Sequence, residues 1–159
     1  MLAASQCHEK VVDCVLDNGA DPSVVDCYGM DALHHAAKGG NTNIITTLIR
    51  RGVDLNTRDN RGATSLIIAA SCGNAAAVDI LADAGADMSI ADNEGCSALH
   101  RASSSKNLNI LEKLVSTYPS NINDENKSGE TPLRIAASRN NKEASDYLKA
   151  RGGTMKDSL

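Results

Sequence analysis

The chain has 159 residues, the length of one ordinary domain, and a formal net charge of -4. That mild acidity is not the footprint of a nucleic-acid or membrane-surface binder, and no apolar run nears the roughly 20 residues needed to span a bilayer. Phe and Trp are absent and Tyr occurs three times, so the core must be built from Leu, Ile, Val and Ala, which suits thin, closely spaced helices.

The opening MLAASQCHEK (1–10) has no basic flank and only a short apolar stretch, a poor signal peptide. Cys7, Cys14, Cys27, Cys72 and Cys96 are odd in number and form no C-x-x-C pair. They read as reduced thiols of an intracellular protein, cytoplasmic or nuclear. Further on, Asp26, Asp59 and Asp92 are spaced by 33 residues, and Asn126 follows after 34. Gly29, Gly62, Gly95 and Gly129 keep that register, as do Leu33, Leu66, Leu99 and Leu133, and then Ala36, Ala69, Ala102 and Ala136. The one extra residue lies in STYPSNINDE (116–125). A fixed period of this length marks a stacked repeat architecture.

Within each unit the elements follow from residue chemistry. Asp31, Thr64, Ser97 and Thr131 share one register position, and all are strong helix N-caps. Pro132 follows the last of them at the first helical position, where its missing N–H costs nothing. A short Leu/Ala helix such as TSLIIAAS (64–71) comes next, ended by Gly40 or Gly73. A second helix carries the stripe Ile44, Ile45, Leu48 and Ile49, and Gly19, Gly52, Gly85 and Gly152 stop this helix in successive units. Polar segments such as GVDLNTRDNRG suit a projecting, hairpin-like loop. A turn-helix-helix unit is too small to bury its own apolar face, so neighbours must stack into a solenoid.

DNRGATSLIIAASCGNAAAVDILADAGADMSIA (59–91) resembles an ankyrin repeat, and SGETPLRIAASRNN (128–141) carries the family's T-P-L signature. The resemblance covers the whole chain. It implies an all-α ankyrin solenoid over 1–159, with a partial repeat at 1–25, repeats at 26–58, 59–91 and 92–125, and a C-terminal capping repeat at 126–159. Ser145 and Lys149 replace apolar residues in the last second helix, as a solvent-facing cap requires. In register, Met1 falls inside a first helix, so the array reads as a fragment of a longer one, or else as one with a minimal first repeat.

The conspicuous pair His34-His35 beside Asp31 invites a catalytic or metal reading. Adjacent helical residues face different ways, and neither the i, i+4 His pair nor the paired cysteines of zinc motifs occur. The family resemblance instead gives His34 and His100 the position of the histidine in T-P-L-H, which ties neighbouring turns together. Ile67 and Arg134 stand there in the other copies. His8 falls at a turn position also usual for histidine in the family. No phosphate-binding glycine loop or nucleophile elbow is present. The expectation is no enzyme, no cofactor and no metal.

Family members bind partners on the concave face, made by the loop tips and the exposed side of the first helices. Carried over register by register, the candidate contacts are Tyr28, Met30, Lys38, Arg58, Asn60, Arg61, Asn93, Glu94, Lys127 and Arg139, with Arg51 flanking. Tyr28 stands out, because tyrosine and arginine are enriched at interface hot spots; the alternative is that it packs against the next loop. Leu48, Asp54, Leu55 and Asn56 fit the pattern of ankyrin repeats hydroxylated on asparagine, which marks Asn56. By segment, 26–58 carries +1, 59–91 carries -3, 92–125 carries -2 and 126–159 carries +3. The expected function is a monomeric, non-enzymatic protein-binding module, an adaptor, scaffold or inhibitor whose protein partner the sequence does not name. The alternative is a regulatory ankyrin region of a larger enzyme or channel. Neither nucleic acid nor membrane insertion is expected.

Overall fold

Every described helix is too short to stand alone. The structure, a computed structural model, describes residues 9–155. Cys7, His8, Lys156, the KDSL tail and the half-helix expected at Met1 lie outside the described residues. The described helices are α1 (Glu9–Asp17), α2 (Ala32–Gly39), α3 (Thr42–Arg50), α4 (Ser65–Cys72), α5 (Ala75–Asp83), α6 (Ala98–Ser104), α7 (Leu108–Thr117), α8 (Pro132–Ser138) and α9 (Lys142–Ala150). Isolated helices shorter than about 12–15 residues are marginal in water, so packing has to hold these in place.

The packing is that of a stack. Helices α2, α4, α6 and α8 form an inner row, each against the next, and α1, α3, α5, α7 and α9 form an outer row. The aliphatic stripes meet between the rows: Leu33, Ile44, Leu48, Leu66, Leu81, Leu99, Leu111, Leu133 and Leu148 are fully buried. Burying one such side chain is worth about 1.5–3 kcal/mol. Small inner-row residues, including Ala36, Ala69 and Ala102, are also fully buried and let the helices approach closely.

Caps fix the ends as the residue types require. The side chains of Asp31, Thr64 and Thr131 each accept the backbone N–H three residues on. Gly40 and Gly73 end α2 and α4 in the left-handed region, at φ 68° and 77°. Helix α6 lacks that glycine and leaves through Ser105 in an extended conformation. Beyond α8, Asn140 takes the left-handed turn at φ 54°, which asparagine tolerates better than most side chains.

Two devices bind neighbouring units. The asparagines before α5, α7 and α9 reach back to the end of the preceding unit's inner helix. Asn74 Nδ2 donates to Ala37 O and Lys38 O, Asn107 Nδ2 to Gly73 O, and Asn141 Nδ2 to Ser103 O and Ser105 O. Ion pairs join the outer row at Arg51–Asp17 and Lys113–Asp83. The extra residue of 116–125 is taken up by a 3-10 turn, Pro119–Asn121. One expectation needs correction at the C-terminal end. Ser145 is buried, its hydroxyl donating to Asn141 O, so of the two polar replacements only Lys149 is exposed.

Candidate functional site

Between units the chain makes a finger, and each finger is organised by one acidic or amide side chain. Oδ1 of Asp26 accepts the N–H groups of Tyr28 and Met30. Asp59 does the same for Arg61 and Ala63, Asp92 for Glu94 and Cys96, and Asn126 for Ser128 and Glu130. The same residue's backbone N–H donates to the carbonyl four positions on, at 3.0 Å in all four fingers. Asp, Asn and glycine are the residues such a turn selects, because a short acceptor reaches its own backbone two residues ahead. The sequence periodicity marks these positions without announcing their role as the acceptor that closes each finger. The fingers are turns rather than hairpins, and a single bridge, Ala91 to Ser97, is the only strand-like pairing among the described residues.

The fingers are linked into a row. Asn60 N donates to Tyr28 O at 3.0 Å, Asn93 N to Arg61 O at 2.8 Å, and Lys127 N to Glu94 O at 2.9 Å. Asn60 Nδ2 and Asn93 Nδ2 add bonds to Cys27 O and Asn60 O. This spacing leaves no room for a side chain at two of the turn glycines: a β-carbon on Gly29 would lie 2.8 Å from Asn60 N, and one on Gly95 would lie 2.8 Å from Lys127 N.

The candidate contact residues separate into three groups. Tyr28 is 69% exposed and the Arg61 and Glu94 side chains 80% and 73% exposed; Lys38, Lys127 and Arg139 are exposed as well. The Tyr28 ring therefore does not pack into the next finger; only its carbonyl is engaged there. Asn60, Asn93 and Arg58 are partly committed to the row itself, Arg58 donating to Ala91 O at 2.9 Å. Met30 is a correction. It is 5% exposed, because the bonds that close the finger turn this position into the stack, as they do Ala63 and Cys96. Arg51 turns to Asp17 on the outer row instead of flanking the fingers. Asn56 is half-buried, and its Oδ1 accepts Asp87 N across the unit boundary.

Two shallow depressions run beside the fingers. One, of about 340 Å³, gathers Asn60, Arg61, Asn93 and Glu94 over a floor of Ile67 and Ile68. The other, of about 380 Å³, lies between Glu94 and Arg139 with His100, Ile135 and Ser138. Tyr28, Lys38, Arg58 and Lys127 belong to neither.

Both buried histidines are tied to the following finger. His34 Nε2 lies 3.2 Å from Ala63 O, and its Nδ1 lies 2.8 Å from the Asp31 carboxylate. Burial works against a charged ring, but the Asp31 carboxylate and the Ala63 carbonyl hold the pKa above the ordinary histidine value. His100 Nε2 meets Asp124 O and Glu130 O at 3.0 and 3.2 Å, while Nδ1 accepts the Ser97 backbone N–H at 3.2 Å and meets the Ser97 hydroxyl, with no carboxylate beside it. There burial prevails and the pKa is lowered. His35 points elsewhere, to Asp26 at 2.8 Å, so the adjacent histidines share no ligand-binding centre.

Asp92, Glu94 and Cys96 offer ligand atoms within 4.8 Å of one another. Arg101 already occupies the carboxylates, with Nε 2.9 Å from Asp92 and Nη2 2.7 Å from Glu94. Burial also pushes the Cys96 thiol up, which opposes the thiolate that a metal needs.

The described chain repeats one unit of inner helix, outer helix and finger, and His34 and His100 tie their own turns to the next. The family description "ankyrin repeats (3 copies)" matches residues 1–92 and again 84–157. The chain belongs to the ankyrin-repeat family. Ankyrin arrays are protein-interaction modules and typically non-enzymatic. No curated protein matches the chain. None of the described ankyrin helices is long and apolar enough to cross a membrane.

Proposed function

We propose that this ankyrin array is an intracellular adaptor, scaffold or inhibitor that holds a protein partner along its finger tips and concave face. The contacts are Tyr28, Lys38, Arg61, Glu94, Lys127 and Arg139, with Arg58, Asn60 and Asn93 as partly committed neighbours. One observation carries the reading: a backbone ladder fixes the fingers while their tip side chains stand in solvent. A partner meeting fixed tips loses little loop entropy on binding, which is where preorganised surfaces gain affinity. A well-placed aromatic or arginine contact is worth about 2 kcal/mol or more on truncation. Hydroxylation of Asn56 rests on the family pattern alone, and it requires opening of the Asn56–Asp87 contact.

The test is affinity capture from lysate with two baits, the intact chain and a Tyr28→Ala/Arg61→Glu double variant, after circular dichroism shows equal folding. A discrete partner retained by the first and lost by the second is expected. Equal retention by both moves the site off the finger tips.

A further inference from the structure

The total charge of the chain hides how charge is arranged on the concave side. The fingers and inner helices (26–39, 59–72, 92–105 and 126–139) carry six carboxylates and six lysines or arginines, a net of zero. The whole net of -4 therefore lies elsewhere in the chain. On the concave side the six carboxylates are all engaged within the fold. Asp26 is held by two finger N–H groups and His35, Asp31 by His34 and the Thr57 hydroxyl, and Asp59 by two finger N–H groups. Asp92 and Glu94 share Arg101, and Glu130 accepts from Asn126 Nδ2 at 3.3 Å.

The cations behave differently. Lys38, Lys127 and Arg139 are exposed and form no ion pair among the described residues. Arg61 approaches only the buried Asp59 carboxylate, at 3.5 Å, and otherwise stands in solvent. Of the six carboxylates Glu94 alone is exposed. A face that is neutral by count is thus basic toward a ligand. The two depressions adjoin at Glu94 and Arg101, which line both, while Arg61 lines the first and Arg139 the second. Ser71, Ser104 and Ser138, at the register position of Lys38, line the same depressions and add hydroxyls without further charge.

We propose that the partner is held through an acidic stretch of its own chain, which runs across both depressions and sets carboxylates against Arg61 and Arg139. Lys38 and Lys127 add to the same field. This rests on the reading that the concave face is the binding site, and it supplies the chemistry of the ligand. Complementary charge of this kind selects the partner and speeds its encounter more than it raises affinity. Glu94 opposes such a ligand. Its removal leaves Arg101 with Asp92 and frees part of the guanidinium for an incoming carboxylate. Exposed charges are screened over about 8 Å at physiological salt, so binding weakens as salt is added.

The experiment is fluorescence anisotropy on the full chain at low salt, with three labelled probes. They are a peptide alternating glutamate and serine, its lysine counterpart, and oligothymidylate; about twelve extended residues reach about 40 Å, enough to cross neighbouring units. All substituted side chains are exposed, and circular dichroism confirms folding. The glutamate peptide is expected to bind and the lysine peptide not to. Arg61→Gln and Arg139→Gln each weaken binding by up to about fivefold, the size of an exposed ion pair, and Glu94→Gln tightens it by a similar factor. The double variant Arg61→Lys/Arg139→Lys retains binding. Lys142→Gln/Lys149→Gln, on the outer helix α9, alters the net charge more than either single change and leaves binding as it was. No binding of the glutamate peptide, or an affinity indifferent to Arg61 and Arg139, overturns the proposal. So does tighter binding of the lysine peptide, or of oligothymidylate through the same two arginines. The two-bait capture separates this result from the location of the site. A partner lost with the Tyr28 and Arg61 tips while the glutamate peptide fails to bind overturns the acidic ligand and leaves the concave-face site standing. A glutamate peptide lost only with Lys142→Gln/Lys149→Gln overturns both.

Discussion

Replacing Asp59 by alanine and by asparagine separates the acceptor that closes a finger from the charge it carries. Asp59 is buried, with Oδ1 2.8 Å from Arg61 N and 2.9 Å from Ala63 N. Asp59→Ala removes both bonds at once. A buried donor left without a partner costs about 1–3 kcal/mol. Ala63 N is buried and Arg61 N only partly so, and the partly exposed group recovers some of its loss to water. The expected cost is therefore about 2–4 kcal/mol. Asp59→Asn keeps an oxygen in the same place. Asn126 shows the geometry, holding Ser128 N and Glu130 N at 2.9 Å each with a carboxamide. That variant loses the 3.5 Å approach of the exposed Arg61 side chain to the carboxylate, and exposed ion pairs contribute about 1 kcal/mol or less. Urea titration at pH 7, followed by circular dichroism, gives both values. Equal damage from the two variants would refute the argument, because it would place the stabilisation in the charge and not in the acceptor. A cost near zero for Asp59→Ala would refute it too.

The remaining predictions concern the joints and the buried ring. His34 has a pKa raised above 6.5, so its contribution is fully present below the unfolded value and is lost as pH rises through the folded one. Asp31→Ser recreates the Ser97 environment of His100, and the His34 ring proton titration in NMR is expected to move from above the ordinary value to below it; an unchanged midpoint would show that Asp31 is not the cause. Asn74→Ala removes two bonds to the preceding inner helix and should cost about 1–3 kcal/mol in a thermal melt. Gly62→Ala should be more damaging than Gly52→Ala. Both sites have φ near 75°, but a β-carbon at Gly62 meets the Asn93 side chain and lies 2.7 Å from Arg58 Nη2, while Gly52 has open space. The strain of the left-handed region alone, about 1–2 kcal/mol, is the expected cost at Gly52 in a urea titration.

Most of the architecture was legible because it depends on features with a period. The N-cap residues, the aliphatic stripes of α3 and α5 and the terminating glycines each predict a boundary by local chemistry, and the structure places caps and turns at those residues. The tips were less legible. Position within a repeat marks Met30 and Tyr28 as near neighbours of one loop, but the bond from Met30 N to Asp26 turns one inward and leaves the other in water. Arg51 was misplaced for a similar reason: its partner Asp17 is 34 residues away, and no spacing within the unit announces it. The sequence shows His34, Ile67, His100 and Arg134 at one register position of the inner helices. What the sequence does not reveal is that exchanging Asp31 for Ser97 drives the two buried histidines in opposite directions.

The 3-10 turn at Pro119–Asn121 has a consequence for how this protein can change. The added residue is absorbed on the outer side, before the chain reaches the next finger. Downstream, Lys127 N still meets Glu94 O at 2.9 Å, and Asn141 still reaches the carbonyls of Ser103 and Ser105. The loop thus works as an expansion joint, and length variation there is insulated from the recognition edge. A peptide tag or a small domain grafted beside Pro119 would ride on the back of the array and leave the spacing of the finger tips as it is.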